Sequence, residues 1–459
     1  MKLNVKETIL YILNNKYYYY LLLMLSIIFS SIISYENISF DLYFNESYVE
    51  YSKFFKTLDF SVFPNNSRTF PLWGYGIFHL LGSNKLMFLI IQQITTFLVL
   101  VFIDRQLLNL RIINRIEYFR FLIILSFPWF LFHTQMWPKS ISSNLFILGV
   151  FLLFKYLKTK EIKFLVISSI VFGLVANFRS DYNYLYLVFF VIIILNSPSG
   201  TKEFLKKMLF PAIILMLLLP WTLFTYKQTN KPLLSSTNTG HVLFIGLGQL
   251  PDNSWGITPR DDDKVMDSLL KNKFISNYKS YNYKEGIYLK TKFKELIKEN
   301  PKQWFEKCLY ALRIFILDPF YVGNVGNYQH NKFNNINEIR ELEYLVYKFE
   351  FKNAIALLKK TEWKLSGKEI FQFLFTFIIV KAQGLLLIFS FFAGLGLCLH
   401  KFGMRLFEEK IIFMLFITII YQISIAILAF HMPVYNTTVY MFYLLLTYLF
   451  FQKYLSIKQ

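Results

Sequence analysis

Cysteine is nearly missing: Cys308 and Cys398 are the only two in 459 residues, far apart, with Cys398 inside an apolar run. That excludes a disulfide framework and a thiolate metal site. The 6 histidines are scattered without an HxxH or HxxxH pair, which argues against a dedicated zinc site. No P-loop occurs, so the chain lacks the glycine-rich cradle that holds nucleotide phosphates. Acids are scarce too, 29 against 49 lysines and arginines, and no internal repeat or low-complexity linker is visible. The net charge of +20 would suit nucleic acid. Most of the basic residues, however, sit in short gaps between apolar runs, where they act as topology signals, so nucleic acid is not an expected partner. The remainder lie in two long loops, where they would attract phosphates or anionic membrane lipids.

Apolar surface is what the chain has in abundance. Hydrophobic residues make up 55% and aromatic residues 20%, with 52 phenylalanines, and mean hydropathy is +0.40. A soluble domain of this length would need far more polar surface. Mostly apolar runs of about 18 residues or more recur, long enough to cross a hydrocarbon core roughly 30 Å thick. The expected fold is an all-α polytopic membrane protein with about ten transmembrane helices and two large external loops carrying interfacial helices. The runs fall at 17–34, 86–103, 121–132, 141–154, 164–177, 182–195, 208–226, 370–399, 411–430 and 439–451.

Lys2, Lys6 and Lys16 precede the first run, and no small-residue cleavage site follows it, so an uncleaved first helix starting in the cytoplasm is expected. Arg105, Arg111, Arg115 and Arg120, then Lys155, Lys158, Lys160 and Lys163, then Lys202, Lys206 and Lys207 fall on the same side by alternation. So do Lys401, Arg405 and Lys410, and finally Lys453 and Lys458, placing both termini inside. The segment WFEKCLYALRIFIL carries Glu306, Lys307 and Arg313 and reads as an interfacial helix. Were it a span, every later orientation would invert. Three regions result: a transmembrane catalytic half over 1–226 with an external loop at 35–85, an external region with interfacial helices over 227–367, and terminal spans over 368–459. The expected location is the cell membrane, multi-pass and of the bacterial inner-membrane type, with the working face outside.

The loop after the first span concentrates polar chemistry. Phe44, Tyr48, Tyr51 and Phe55 recur at spacings of four, three and four, one face of a helix lying in the interface, while Glu46, Glu50 and Lys53 follow another face. Glu50 beside Lys53 reads as a surface pair. Asp41 and Glu46 stand near where a span meets water, as a solvated or helix-start acid or as a catalytic base. Arg68 then opens RTFPLWGYGIFHLLG, in which Pro71 and Gly74 favour a turn. Arg179 and Asp181 lie at a helix end near the same surface, a local salt bridge or a functional pair. In the second long loop His241 is a candidate, whereas Asp261, Asp262 and Asp263 read as a solvated run.

Taken in order, NESYVEYSKFF, RTFPLWGYGIFHLLG, GLVANFRSDYNYLYL and LLLPWTLFTYKQTNKPLLSSTNTGHVLFIG resemble the GT-C glycosyltransferases, over roughly the first 250 residues. The similarity is to the branch holding protein O-mannosyltransferases and lipid A aminoarabinose transferases. Arg68-Thr69-Phe70-Pro71 with Tyr75 matches that branch's arginine-proline turn, and Arg179-Ser180-Asp181 its Arg-Pro-Glu. Pro220-Trp221-Thr222 with Ser236-Thr237-Asn238-Thr239-Gly240 matches its Pro-Trp-Thr run and the glycine segment beyond. The chain departs from the pattern where Asn45 stands for the first acid, Ser143-Asn144 for Ser-Glu, and Val434-Tyr435 for Arg-Tyr. A counterpart to the soluble carboxyl-terminal domain of some members is not expected.

The resemblance implies transfer of a sugar from a polyprenyl-phosphate donor to a lipid, glycan or protein acceptor, with inversion. Glu46 or Asp41 would be the base. Arg68 and Arg179, with Lys139 or Arg260, would bind phosphate, and Tyr48, Tyr75 and Asp181 would line the substrate. The carrier supplies the activated bond, so no cofactor or metal is called for. An envelope polysaccharide polymerase would use the same kind of carrier. A transporter or flippase would instead place its charges at mid-membrane and commonly show paired repeats, whereas these charges cluster at span ends.

Overall fold

The computed structural model describes residues 5–35, 85–134, 138–179, 182–195, 200–274, 283–317, 384–389 and 410–456, with a few other positions between 320 and 396. Among the described residues the architecture is all-helical, without strands. In chain order the helices are α1 (Val5–Asn14), α2 (Lys16–Tyr35), α3 (Lys85–Asn109), α4 (Ile116–Ile124), α5 (Phe127–His133), α6 (Pro138–Thr159), α7 (Ile162–Phe178) and α8 (Asn183–Leu195). There follow α9 (Thr201–Thr229), α10 (Thr239–Leu247), α11 (Lys264–Lys273), α12 (Tyr283–Glu299), α13 (Pro301–Leu317), α14 (Lys410–Leu428), α15 (Pro433–Thr437) and α16 (Tyr440–Ser456).

Among the described residues four helices are long and apolar enough to cross a membrane: Leu89–Asn109, Lys139–Thr159, Thr201–Lys227 and Lys410–Leu428. Shorter apolar helices cover Lys16–Ile32, Ile162–Phe178, Asn183–Leu195 and Tyr440–Leu449. Most of the expected span at 370–399 lies outside the described residues. The helices divide by burial. The apolar window of α6 is 83% buried and that of α9 only 33%, so α6 runs through the middle of the bundle and α9 along its flank. The small residues Ser140, Ser142, Ser143 and Gly149 let neighbours approach α6, as packing in a membrane favours. α7 packs between α6 and α9. The open face of α9 carries Leu215, Met216, Leu219 and Leu223, the composition of a lipid-facing surface.

One end of the bundle is fixed by a buried ion pair. Nε and Nη2 of Arg120 on α4 donate to the Asp104 carboxylate of α3 at 2.7 and 2.8 Å. Its Nη1 donates to the carbonyls of Leu13 and Asn14, where α1 ends. Its guanidinium lies 4.9 Å from the Tyr19 ring centroid on α2, and the Tyr20 hydroxyl donates to Asp104. One arginine thus ties four helices. The sequence reads Arg120 as a topology charge of a solvated loop. It does sit at the basic end, but only 2% exposed, because Asp104 lies within reach across the helix pair. The same end is closed by Tyr448 donating to the Arg115 carbonyl and Gln452 accepting from the Asn114 amide.

A second body, α10 to α13, grows from the long segment after α9. Phe244, Ile245, Leu247, Ile257, Met266, Leu270 and Leu289 form its core. α10 and α12 cross so closely that a Cβ on Gly240 would lie 1.8 Å from the Gly286 carbonyl oxygen. Here the expected solvated acid run is corrected in part. Asp263 is buried as the N-cap of α11, accepting from the Met266 amide at 2.7 Å and from the amide and hydroxyl of Thr258. Asp262 is exposed, and Asp261 is exposed but bound to His241.

Arg120→Ala should cost about 3–5 kcal/mol, because it strands the Asp104 carboxylate in the bundle. The paired replacement Arg120→Met with Asp104→Leu should recover much of that loss in thermal unfolding of the detergent-solubilised protein. Equal losses from the single and the paired replacement would show that this ion pair does not hold the helices together.

Candidate functional site

The opposite end of the bundle gathers polar side chains on four elements. α7 ends where Arg179 turns extended, and the Arg179 amide still donates to the Val175 carbonyl. α15 is a single turn begun by Pro433, whose fixed φ suits a first helical position, and it sits between the end of α14 and the start of α16. α6 begins at Pro138, which puts Lys139 in its first turn. α5 ends at His133.

Two of these elements bring a cation to the ring of Tyr435 on α15. The Lys139 ammonium lies 4.6 Å from its ring centroid and the Arg179 guanidinium 5.1 Å. Arg179 is 5% exposed, and the two cations are near enough to repel each other. An aromatic face attracts each of them. Collecting two like charges on one ring in a low-dielectric setting favours an anion beside them. The backbone of Tyr435 is fixed from below: its carbonyl accepts from the Thr438 hydroxyl at 2.6 Å, and that hydroxyl accepts from the Tyr182 phenol at 2.8 Å. Ser143 of α6 donates to the Thr438 carbonyl at 2.7 Å, and Tyr182 stacks on Phe146 with centroids 4.2 Å apart.

Beside this lies a neutral cluster. His133 Nδ1 is 3.2 Å from the Ser140 hydroxyl and 3.3 Å from the Asn144 amide nitrogen. Both groups can donate to it, which leaves the ring proton on Nε2. Asn144 Nδ2 also donates to Thr96, and the His133 carbonyl accepts from Gln92 and Gln93. The Trp129 ring packs edge-on to the imidazole at 4.1 Å. α15 packs against α5, which brings Asn436 to the same region. His133, Asn144 and Asn436 are each 0% exposed. Among the described residues, His133 Nε2, Asn144 Oδ1 and both polar atoms of Asn436 have no hydrogen-bond partner. Leaving such a group buried and unsatisfied costs about 1–3 kcal/mol.

Of the residues singled out from the sequence, the structure brings Lys139 and Arg179 together. Arg260 stands apart, exposed on the turn before α11. Asp41, Glu46, Tyr48, Arg68, Tyr75 and Asp181 lie outside the described residues. His133 and Asn436 were not legible as site residues. Their only sequence signal is polarity at the edges of apolar runs, HTQMWPKS and YNTT. Among the described residues no three of His, Cys, Asp and Glu come together as a metal site would need. His241, also a candidate, binds Asp261 at 2.8 Å within the second body.

That second body docks next to α15. Gln249 exchanges two hydrogen bonds with the backbone of His431, each 2.8 Å. Lys307 of α13 donates to the carbonyls of Ile427 and Ala429, at 3.0 and 2.7 Å, where α14 ends. A cation is favourable at a helix C-terminus. The sequence places Lys307 on an interfacial helix, where a charge would meet water. It is instead 1% exposed, and burial lowers its pKa to about 8.

This makes a pH dependence. The folded pKa lies below the ordinary lysine value, so the unfolded chain holds more protons between roughly pH 8 and 10, and stability should rise with pH across that window. The gain is on the order of 3 kcal/mol, reached above the unfolded pKa and lost as pH falls through 8. Lys307→Met should flatten this part of a stability profile measured by denaturant unfolding. A profile that keeps its slope in the variant would remove Lys307 as the cause. Compared with known proteins, the chain matches no family model, no curated protein and no solved structure.

Proposed function

We propose that the chain is a membrane glycosyltransferase that moves a sugar from a polyprenyl-phosphate carrier to an envelope lipid, glycan or protein acceptor on the external face, with inversion. The observation that carries this reading is the convergence of Lys139 and Arg179 on Tyr435 at one end of an apolar helical bundle. A phosphate that leaves a sugar gains negative charge as the bond breaks, and fixed cations in a water-poor site stabilise that charge most. In the step proposed, the acceptor oxygen attacks the anomeric carbon as the carbon–oxygen bond to phosphate breaks, and the electron pair stays on the phosphate oxygen near Lys139 and Arg179. Asp41 or Glu46 takes the acceptor's proton. The open apolar face of α9 suits a polyprenyl chain lying beside the bundle.

Sidedness follows from charge. Lys160 lies close enough to Lys207 and Lys410 for both to lower its pKa, after burial, the largest cause. This basic end is where Lys155, Lys158 and Lys163 also stand, so the positive-inside rule assigns it to the cytoplasm and the Tyr435 end to the outside.

Two experiments test the reading. In purified membranes given a radiolabelled polyprenyl-phosphate sugar, Lys139→Ala and Arg179→Ala should each slow transfer by about 10²–10³-fold, the loss typical of one stabilising donor. Asp41→Asn with Glu46→Gln should abolish transfer, and wild-type rates in that pair would remove both as the base. Single cysteines at Lys160 and Asp262 in a chain without Cys308 and Cys398 should react with an impermeant maleimide from opposite sides of oriented vesicles. Labelling of both from one side would overturn the topology.

A further inference from the structure

Beyond the cation pair, the same end of the bundle holds polar atoms that neither the fold nor the transfer step employs. They belong to Asn436, Asn144 and His133, all without exposed surface. The uncommitted atoms are Nδ2 and Oδ1 of Asn436, Oδ1 of Asn144 and Nε2 of His133, which have no partner among the described residues. Two of these side chains are also locked. His133 is pinned at Nδ1 by Ser140 and Asn144, and Asn144 is pinned at Nδ2 by Thr96. Their remaining atoms therefore stand in fixed positions, as a preorganised recognition site requires.

The chemistry of these atoms narrows what they could meet. Each is neutral. Two carbonyl oxygens accept, while an amide NH₂ and an imidazole N–H donate. A phosphate or carboxylate would be repelled by the two amide oxygens, and a hydrocarbon chain would leave all four atoms unsatisfied. An ammonium group would meet Lys139 and Arg179 nearby. A hydroxyl both donates and accepts, so neighbouring hydroxyls on a ring match a set of mixed amide and imidazole atoms. The placement fits as well: Asn436 follows Tyr435, the ring that both cations face. A sugar esterified to phosphate needs such an arrangement, with cations for the phosphate and neutral donors and acceptors beside them for the ring.

We infer that Asn436, Asn144 and His133 form a neutral, hydroxyl-reading subsite that selects the sugar of the donor next to Lys139 and Arg179. This rests on the reading of the chain as a transferase that uses a polyprenyl-phosphate sugar. It adds that the donor sugar is an uncharged, hydroxyl-rich ring at the positions this subsite reads.

The test measures binding by the purified full-length chain in lipid nanodiscs. The probes are a polyprenyl phosphate without sugar and the same carrier bearing glucose, galactose or mannose. The wild type should hold at least one hexosyl carrier about tenfold or more tighter than the bare carrier. Asn436→Ala should erase most of that tenfold difference and leave the bare carrier's affinity unchanged, which also shows that the variant is folded. His133→Gln, which keeps an amide in place of the ring, should reduce the difference in the same direction and serves if Asn436→Ala does not fold. If the wild type binds neither kind of carrier, the transferase reading itself fails. If it binds the bare carrier well but prefers no hexosyl carrier, or if the variants weaken both carriers equally, the transferase reading stands and the subsite is overturned.

Discussion

A polar group withdrawn from water inside a helical bundle must find a partner, because the hydrocarbon around it offers none. That constraint shapes both ends of this molecule in opposite ways. At the basic end it is met in full. Arg120 spends its guanidinium on Asp104 and on the carbonyls where α1 stops, and four helices are held by one satisfied network. At the other end it is met only in part. Neutral atoms of Asn436, Asn144 and His133 lie buried there without a hydrogen-bond partner among the described residues, and Asn436 adjoins Tyr435, the ring that Lys139 and Arg179 face. A bundle can keep such an end because the rest of its contacts hold the helix positions.

α6 runs from one end of the bundle to the other. It is the most enclosed of the long apolar helices, with its first turn at the site and its last at the basic end. Lys139, Ser140, Ser143 and Asn144 therefore ride on a rigid element instead of a loop. The same helix orients His133, through Ser140 and Asn144, and α15, through Ser143 and Thr438. The small second body adds a further support. Lys307 and Gln249 grip the chain between α14 and α15, so the turn carrying Tyr435 is held from outside as well as from within the bundle.

Part of this architecture is legible in the sequence. Runs of apolar residues, with basic residues in the short gaps, determine an all-helical membrane architecture, since only helices satisfy a single chain's backbone segment by segment in lipid. Lys139 and Arg179 could be picked out because charges at span ends are conspicuous against an apolar background. Arg120 is equally conspicuous, and its place in a basic gap marks it only as a topology charge. What distinguishes it is Asp104, sixteen positions earlier in the chain, and nothing in local spacing says that α3 and α4 will bring the two within 2.7 Å. The acid run at Asp261 to Asp263 shows the same limit, since whether an aspartate caps a helix or faces water depends on where the next helix starts.

By itself, then, the sequence determined the class of structure, the alternation of basic and non-basic ends, and two of the charged groups at the candidate site, because each follows from composition and short-range pattern. Only the tertiary structure decided that Lys139 and Arg179 share a ring with Tyr435, more than two hundred and fifty residues further along from either. It alone decided that His133 and Asn144 meet in the interior and that Asn436 is buried on the turn packed against α5. The reason is physical. A neutral polar residue at the edge of an apolar run costs little in water and is unremarked there, and its chemistry becomes visible only when packing takes the water away.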